Sequence, residues 1–336
     1  MSLPGARTRR DWLLVIAGVR EVGILLFIVA LVVVVSLRSP YFLTLDNFRD
    51  ILLDIGVLVI VAIGQTMVIL TRGIDLSVGS GLALSGMIVG MTISAHWGIP
   101  PLVALAMGIG VGIVLGAFNG LVVTKGNVPP IIATLGTLSV YRGLVFAISG
   151  GAWVDAHELP ENFKAFAQAT PLLIPNLVLI AFLVALIAYY FLNHTRLGRE
   201  IYAVGSNPLA AQVAGIHVRR VQMLVFVISG ALYGMAGVLW VSRYASAQSD
   251  SAMGFELQTV AAAVVGGVNI FGGSGTVPGV LLGSLLLGII INALNLVRIS
   301  PFWKLAVQGL VILLAVVADA LISRRLVRAQ AGGETS

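Results

Sequence analysis

The residues able to do chemistry are few in this chain, and their spacing excludes most of it. The histidines, His96, His157, His194 and His217, are scattered over loop-like stretches and form no metal-ligand spacing. There is no cysteine, so disulfide and thiolate chemistry are out of reach. No Gly-Lys dipeptide occurs, so the chain carries no P-loop for ATP. No Ser, His and Asp set converges by motif. What remains is a set of hydrogen-bonding side chains inside long apolar runs: Gln65, Thr66, Asn119, Thr134, Thr137, Asn269, Asn292, Asn295 and Gln308. Such groups either glue helices together or line a path for a polar solute. Gln65, Asn119, Thr137, Asn269, Asn292 and Asn295, with Asp75, are the candidates for path lining. Asn292 and Asn295 stand three apart and so share one helix face. Arg72 and Asp75 flank Gly73 at membrane depth, where a charge is costly and faces protein or water. They line or gate the path, or they pair with each other and pin a bend near the surface.

The elements that must hold these side chains follow from composition. The chain is 58% hydrophobic and 10% charged, with mean hydropathy +1.03, whereas soluble domains are about a quarter charged. Bilayer is the solvent that fits. Inside it every backbone group must bond internally, so the elements are helices. The apolar runs are continuous rather than alternating, which argues against a β-barrel. The reading is an all-α polytopic membrane protein, a single transmembrane domain over residues 1–336. Ten crossings are expected, at 22–37, 51–70, 82–95, 102–123, 131–148, 172–192, 221–241, 260–270, 277–296 and 305–321, each near or below the ~20 residues a spanning helix needs. The runs at 51–70, 82–95 and 260–270 are broken by glycine and can re-enter rather than cross, so eight crossings is the alternative. Gly108, Gly112, Gly116 and Gly120, four apart, with Gly110 between them, permit close helix contact.

The net charge of +6 sits at the ends of apolar runs and signals topology, not nucleic acid. Arg7, Arg9 and Arg10 at one end and Arg324, Arg325 and Arg328 at the other place both termini in the cytoplasm. Residues 1–21 and 322–336 are then cytoplasmic. The first span is retained, because no small-residue cleavage site follows it. Residues 149–171, with Asp155, Glu158 and Glu161, form the longest outer loop. Asp319 is expected to partner Arg324 or Arg325.

The basic loop at 194–219 is cytoplasmic by the same rule, with Arg196, Arg199 and Arg219. It also folds. Asn207-Pro208 is an N-cap acceptor followed by proline at the first helical position. A short helix follows over 209–214, and Gly215 suits a left-handed stop. A further helical turn is expected over 199–204, broken at Gly205. Elsewhere, Gly-Ile-Asp-Leu-Ser-Val-Gly-Ser at 73–80 recurs as Gly-Val-Asn-Ile-Phe-Gly-Gly-Ser at 267–274, the mark of two related halves. The span count puts both copies on one face, whereas an inverted repeat would separate them.

The pattern Gly198, Arg199, Glu200, Ala203, Gly205, Asn207, Ala210, Ala211, Gly215 and Ile216 resembles the coupling loop of sugar-type ABC importer permeases, the ribose permease family. Gly-Ile-Asp-Leu-Ser-Val-Gly, Thr-Leu-Gly-Thr-Leu at 134–138 with Tyr141-Arg142-Gly143, and the glycine-rich stretch at 265–275 are similar to the same family. The likeness runs over about residues 47–317. It implies that Gly198, Arg199, Glu200, Gly205, Asn207, Ala210, Ala211 and Gly215 seat in a separate ATPase. ATP and Mg would then be bound by that partner, and this chain would carry no cofactor. The resemblance also implies an outer sugar-binding protein that docks near 153–164 and 243–256, a second permease copy or paralogue, and residence in the bacterial inner membrane. The stretch 134–153 looks closest to the autoinducer-2 and rhamnose branches, beside the ribose and xylose ones. An ion-coupled secondary transporter or channel is the alternative, and scarce intramembrane acids count against it. An intramembrane enzyme has no constellation to support it.

Overall fold

The computed structural model describes residues 9–171 and 173–296 and the isolated positions 303, 306, 307, 309, 310 and 313; of residues 9–22 it describes the backbone. Most of the expected tenth crossing, with Gln308, Asp319 and the basic C-terminal tail, lies outside the described residues. The described chain is helical: α1 (Arg9–Arg38), α2 (Leu45–Leu70), α3 (Val78–Ala95), α4 (Pro101–Thr124), α5 (Pro130–Ser149), α6 (Glu161–Phe166), α7 (Asn176–His194), α8 (Arg196–Ser206), α9 (Pro208–Val213), α10 (Val218–Tyr244), α11 (Phe255–Val265) and α12 (Val277–Leu296). Among the described residues seven of these, α2, α3, α4, α5, α7, α10 and α12, are long and apolar enough to cross a membrane.

Local chemistry sets the helix ends. Thr44 caps α2, its hydroxyl accepting from the Asn47 amide at 3.3 Å. Proline opens both α4 and α5 at the first helical turn, where no N–H is needed. α5 stops at Gly150, which takes the left-handed conformation at φ 60°.

α2 is the axis of the molecule. Every residue from Val57 to Leu70 is buried, and α2 packs against α7, α10, α11 and α12. Beside it, α4 and α10 run antiparallel in backbone contact. A Cβ on Gly112 would strike the Gly230 carbonyl, and one on Gly230 would strike that of Gly112. Gly108 meets Gly234, Gly116 meets Phe226 and Gly120 meets Met223 in the same stripe, while Gly110 points into open space. The four-residue spacing therefore marks a seam where only glycine fits.

The expected outer loop at 149–171 is folded. It holds a 3₁₀ turn at Ala156–Glu158, closed by Glu158 accepting from the Asp155 amide at 2.8 Å. The helix α6 follows, with Phe163 fully buried. Ser242 of α10 ties α6 down, donating to the Phe163 carbonyl at 2.6 Å and accepting from the Ala167 amide at 3.0 Å.

The expected crossing at 260–270 needs correction. The helix there is α11, which starts five residues earlier and ends at Val265. Its 11 residues rise about 16 Å, roughly half the ~30 Å of a hydrocarbon core. Gly266 and Gly267, the latter at φ 98°, end the helix inside the apolar run. The N-terminus of α11 lies beside the start of α3, since a Cβ on Gly79 would meet the Glu256 carboxylate and the Ala252 carbonyl.

Candidate functional site

The loop at 194–219 forms two capped helices at one end of the bundle. Thr195 caps α8, accepting from the Gly198 amide at 3.0 Å. Asn207 caps α9, accepting from the Ala210 amide at 3.1 Å, and Gly215 stops it at φ 82°. The α9 expectation thus matches, within a residue at each end. The α8 expectation does not: the helix runs from Arg196 through Gly205 to Ser206 instead of breaking at Gly205. Gly205 is required for approach. Its missing side chain leaves room for the Leu70 carbonyl and the Gly273 amide. Ile201 and Val204 are buried on the same face. Tyr202 donates to the Gly275 carbonyl at 2.9 Å; burial pushes its phenol up, which keeps the donor proton in place.

The eight residues assigned to coupling divide by this geometry. Gly198, Gly205 and Ala211 are buried and hold the pair of helices on the bundle. Glu200 pairs with Arg196 at 2.8 Å. Arg199, Asn207, Ala210 and Gly215 face outward. Beside them stand Leu209 and Val213, 76% and 91% exposed, two apolar side chains that the sequence pattern did not single out. A cleft of about 910 Å³ runs along α9 and the start of α10 past Leu209, Gln212, Ile216 and Arg219.

The repeated motif builds the floor on which α8 sits. α2 ends with Arg72 at φ 66° and the Gly73 amide donating back to Val68 O at 3.0 Å. α11 ends with Gly267 at φ 98° and the Val268 amide donating back to Ala263 O at 3.0 Å. Both are the same left-handed stop. An Asx turn follows each: Asp75 accepts from the Ser77 amide and Asn269 from the Phe271 amide, both at 2.9 Å. The two copies touch, the Gly273 amide donating to Leu70 O at 3.0 Å. Both stand at the α8 end, as the span count has it, because α2 and α11 run toward that end and α3 and α12 run away from it. The repeat is same-directed, not inverted.

Arg72 and Asp75 do not pair. The Arg72 guanidinium donates to the Gly205 carbonyl at 2.7 Å and the Ser206 carbonyl at 2.9 Å. Its left-handed backbone swings the side chain toward α8. Asp75 turns inward to Ser77, accepting also from its hydroxyl at 2.6 Å.

Among the path candidates, Gln65, Asp75 and Asn119 come together in one buried network. The Gln65 amide, oriented by its neighbours, brackets the Asp75 backbone at 3.1 and 3.2 Å. Asn119 donates to the Ser77 hydroxyl at 2.7 Å and accepts from Tyr141 at 3.3 Å. Thr137 is buried on α5 and donates to the Thr134 carbonyl at 3.3 Å. Asn269 is spent on its turn. Asn292 exchanges hydrogen bonds with Asn47 at 2.8 and 3.2 Å. Asn295, exposed, lines a cavity of about 600 Å³ between α2, α10, α11 and α12.

The chain has relatives along nearly its whole length. A family model described as a branched-chain amino acid transport system permease component matches residues 47–316. The ribose import permease protein of Escherichia coli K12 is 41% identical over 305 residues, covering 90% of this chain and 94% of that protein. The D-allose transport system permease protein of the same organism is 40% identical over 301 residues, covering 89% and 91%. The autoinducer 2 import system permease protein of an Enterobacter species is 35% identical over 311 residues, covering 93% and 90%. No solved structure matches. Near-complete coverage at these identities, on a helical bundle of seven long apolar helices among the described residues, makes the chain a member of the transport permease-component family, a membrane subunit and not an enzyme, in the branch that holds sugar-import permeases.

Proposed function

We propose that the chain is the permease subunit of an ATP-driven importer that moves a monosaccharide or sugar-like molecule across the bacterial inner membrane. A separate ATPase binds ATP and Mg, an outer binding protein delivers the solute, and a second permease copy or paralogue completes the path. Ten crossings with both termini in the cytoplasm fit this arrangement, the eighth being made by α11 together with the non-helical stretch before it. The α8 and α9 pair carries the reading. It is rigidly capped, seated by Arg72 on the turn that ends α2, and presents Leu209 and Val213 outward. A rigid lever of this kind transmits a push from the ATPase into both helix-ending turns, and alternating access follows as a movement of α2 and α11 together.

The test is Leu209→Asp and Val213→Asp in the reconstituted transporter. Neither side chain is buried, so folding and membrane insertion stay intact. Uptake is expected to fall at least about tenfold, the scale of a lost ~1.4 kcal/mol contact, while ATP hydrolysis no longer responds to the loaded binding protein. Full uptake in both variants would remove α9 from the coupling role.

A further inference from the structure

We propose that the non-helical segment 245–254, between α10 and α11, is held by a clasp centred on Arg142 of α5, and that this clasp opens in each transport cycle. The proposal rests on the transport reading above and names a tie that the cycle must undo. Arg142 donates through one nitrogen to two carbonyls of the segment, Ser249 at 3.0 Å and Ser251 at 2.8 Å. Glu256 and Asp250 are carboxylates within its electrostatic reach.

The stretch 149–154, which follows on from α5, adds to the clasp. The Ser149 and Ser249 hydroxyls stand 3.3 Å apart, and Ser249 donates to the Ala152 carbonyl at 3.4 Å. Val154 and Ala247 exchange backbone hydrogen bonds, each at 3.0 Å. The segment so held is bracketed by left-handed residues: Ala245 at φ 51° where α10 ends, then Ala252 at φ 55° and Gly254 at φ 77° before α11. Alanine enters that region only against the crowding of its Cβ on the backbone. Two such alanines persist because their surroundings impose the conformation. The Ser246 hydroxyl, buried without a partner, is a further cost that this conformation carries. A short piece whose two ends can relax in φ and ψ is what a hinge requires.

The place of Arg142 on α5 links the clasp to the α8 end. Its neighbour Tyr141 donates to the Leu115 carbonyl at 2.8 Å and to Asn119 at 3.3 Å. Asn119 donates in turn to Ser77, in the turn after α2. That turn is the seat of α8, through Arg72. α5 packs chiefly on α3 and α4 and shows Ile131, Ile132, Leu135 and Leu144 outward. Two adjacent residues of a peripheral helix thus join the turn under α8 to the segment before α11. A push on α8 that shifts α5 pulls directly on the two carbonyl bonds of Arg142.

The native chain lacks cysteine, so Ser149→Cys combined with Ser249→Cys places one thiol pair across the clasp, where the hydroxyls already face each other. In the reconstituted transporter, oxidation with copper phenanthroline is expected to stop uptake of labelled D-ribose in proportion to the disulfide formed. Dithiothreitol is expected to restore uptake, and each single variant is expected to be insensitive to the oxidant. Uptake that continues through a fully oxidised pair would mean that the clasp stays shut throughout the cycle, and would overturn the proposal while leaving the import reading standing. A pair that forms no disulfide would also overturn it. Hydrogen exchange reads the clasp without transport. Arg142→Gln is expected to speed exchange of the Ala247, Ser251 and Met253 amides at least about tenfold, the measure of one lost charge-assisted bond. Unchanged exchange would remove Arg142 from the clasp. A transporter that takes up no D-ribose even when reduced would count against import of that sugar, and the exchange result would still decide the clasp.

Discussion

The two helix-ending turns, at 71–77 and at 266–276, are built alike and placed differently. Each closes a helix with a left-handed residue and then makes an Asx turn, on Asp75 in one and Asn269 in the other. The first is sealed in protein: Asp75 and Ser77 are fully buried, and Asn119 and Tyr141 extend the network behind them. The second is open to solvent, with Phe271 76% exposed and Gly272 and Gly273 in left-handed conformations. The same local chemistry thus serves as a core in one copy and as a contact surface in the other. The difference arises from the neighbours. α4 and α5 cover the Asx part of the first turn, leaving its Arg72 to reach α8, while α8 leans on the second through Gly205, Ser206 and Tyr202.

The sharpest way to break the comparison is to remove each Asx acceptor. Asp75→Leu orphans the buried Ser77 amide and hydroxyl and is expected to cost about 2–6 kcal/mol, at 1–3 for each orphaned group. Asn269→Leu, at the half-exposed turn, is expected to cost about 1 kcal/mol. Thermal unfolding of the purified permease in detergent measures both. Asp75→Asn should recover most of the loss, since asparagine makes the same turn in the second copy; equal costs at the two sites would refute the core-versus-surface distinction.

Next in size is the seat of α8. Gly205→Val drives a side chain into the Leu70 carbonyl and the Gly273 amide and is expected to destabilise by about 1–3 kcal/mol. It should also loosen α8, seen as faster proteolysis between α7 and α10. A smaller effect is expected from Arg72→Ala, which loses two charge-assisted hydrogen bonds from one side chain; about 1.5–3 kcal/mol is the upper scale for such bonds, reduced here by water at the exposed Ser206 end. Arg72→Lys should not rescue it, because an ammonium lacks the planar fork that reaches both carbonyls. Rescue by lysine would mean that charge alone holds α8. The smallest effect is expected at Arg196→Ala: its pair with Glu200 is largely exposed on the arginine side, so a change under about 1 kcal/mol is expected in the same unfolding assay.

Much of this was legible in order of locality. The apolar runs of α2, α3, α4, α5, α7, α10 and α12 read directly, because composition alone excludes water as their solvent. The start and stop of α9 read from Asn207, Pro208 and Gly215, since capping is a contact between residues within a turn of one another. The glycine stripe on α4 read as a seam from its spacing. The sequence did not reveal that Gly110 lies off the stripe's face, that Arg72 reaches α8 and not Asp75, or that the loop at 149–171 folds onto Ser242. Each of those depends on partners distant in the chain.

The polar candidates show the limit most clearly. Types and positions marked Gln65, Asp75, Asn119 and Asn295 as equals, because a hydrogen-bonding side chain in an apolar run looks the same whether it meets protein or a cavity. Tertiary packing sorted them: the first three satisfy one another at the turn after α2, and Asn295 faces open space. Gln248 and Gln258 line the same cavity only because the chain after α10 folds back against α3 and α11 begins beside Gly79. The sequence by itself determined the solvent, the helices, the capped loop and the repeat, all properties of short-range chemistry and composition. The structure alone decided which polar groups are spent and which remain free, because that depends on how separate helices meet.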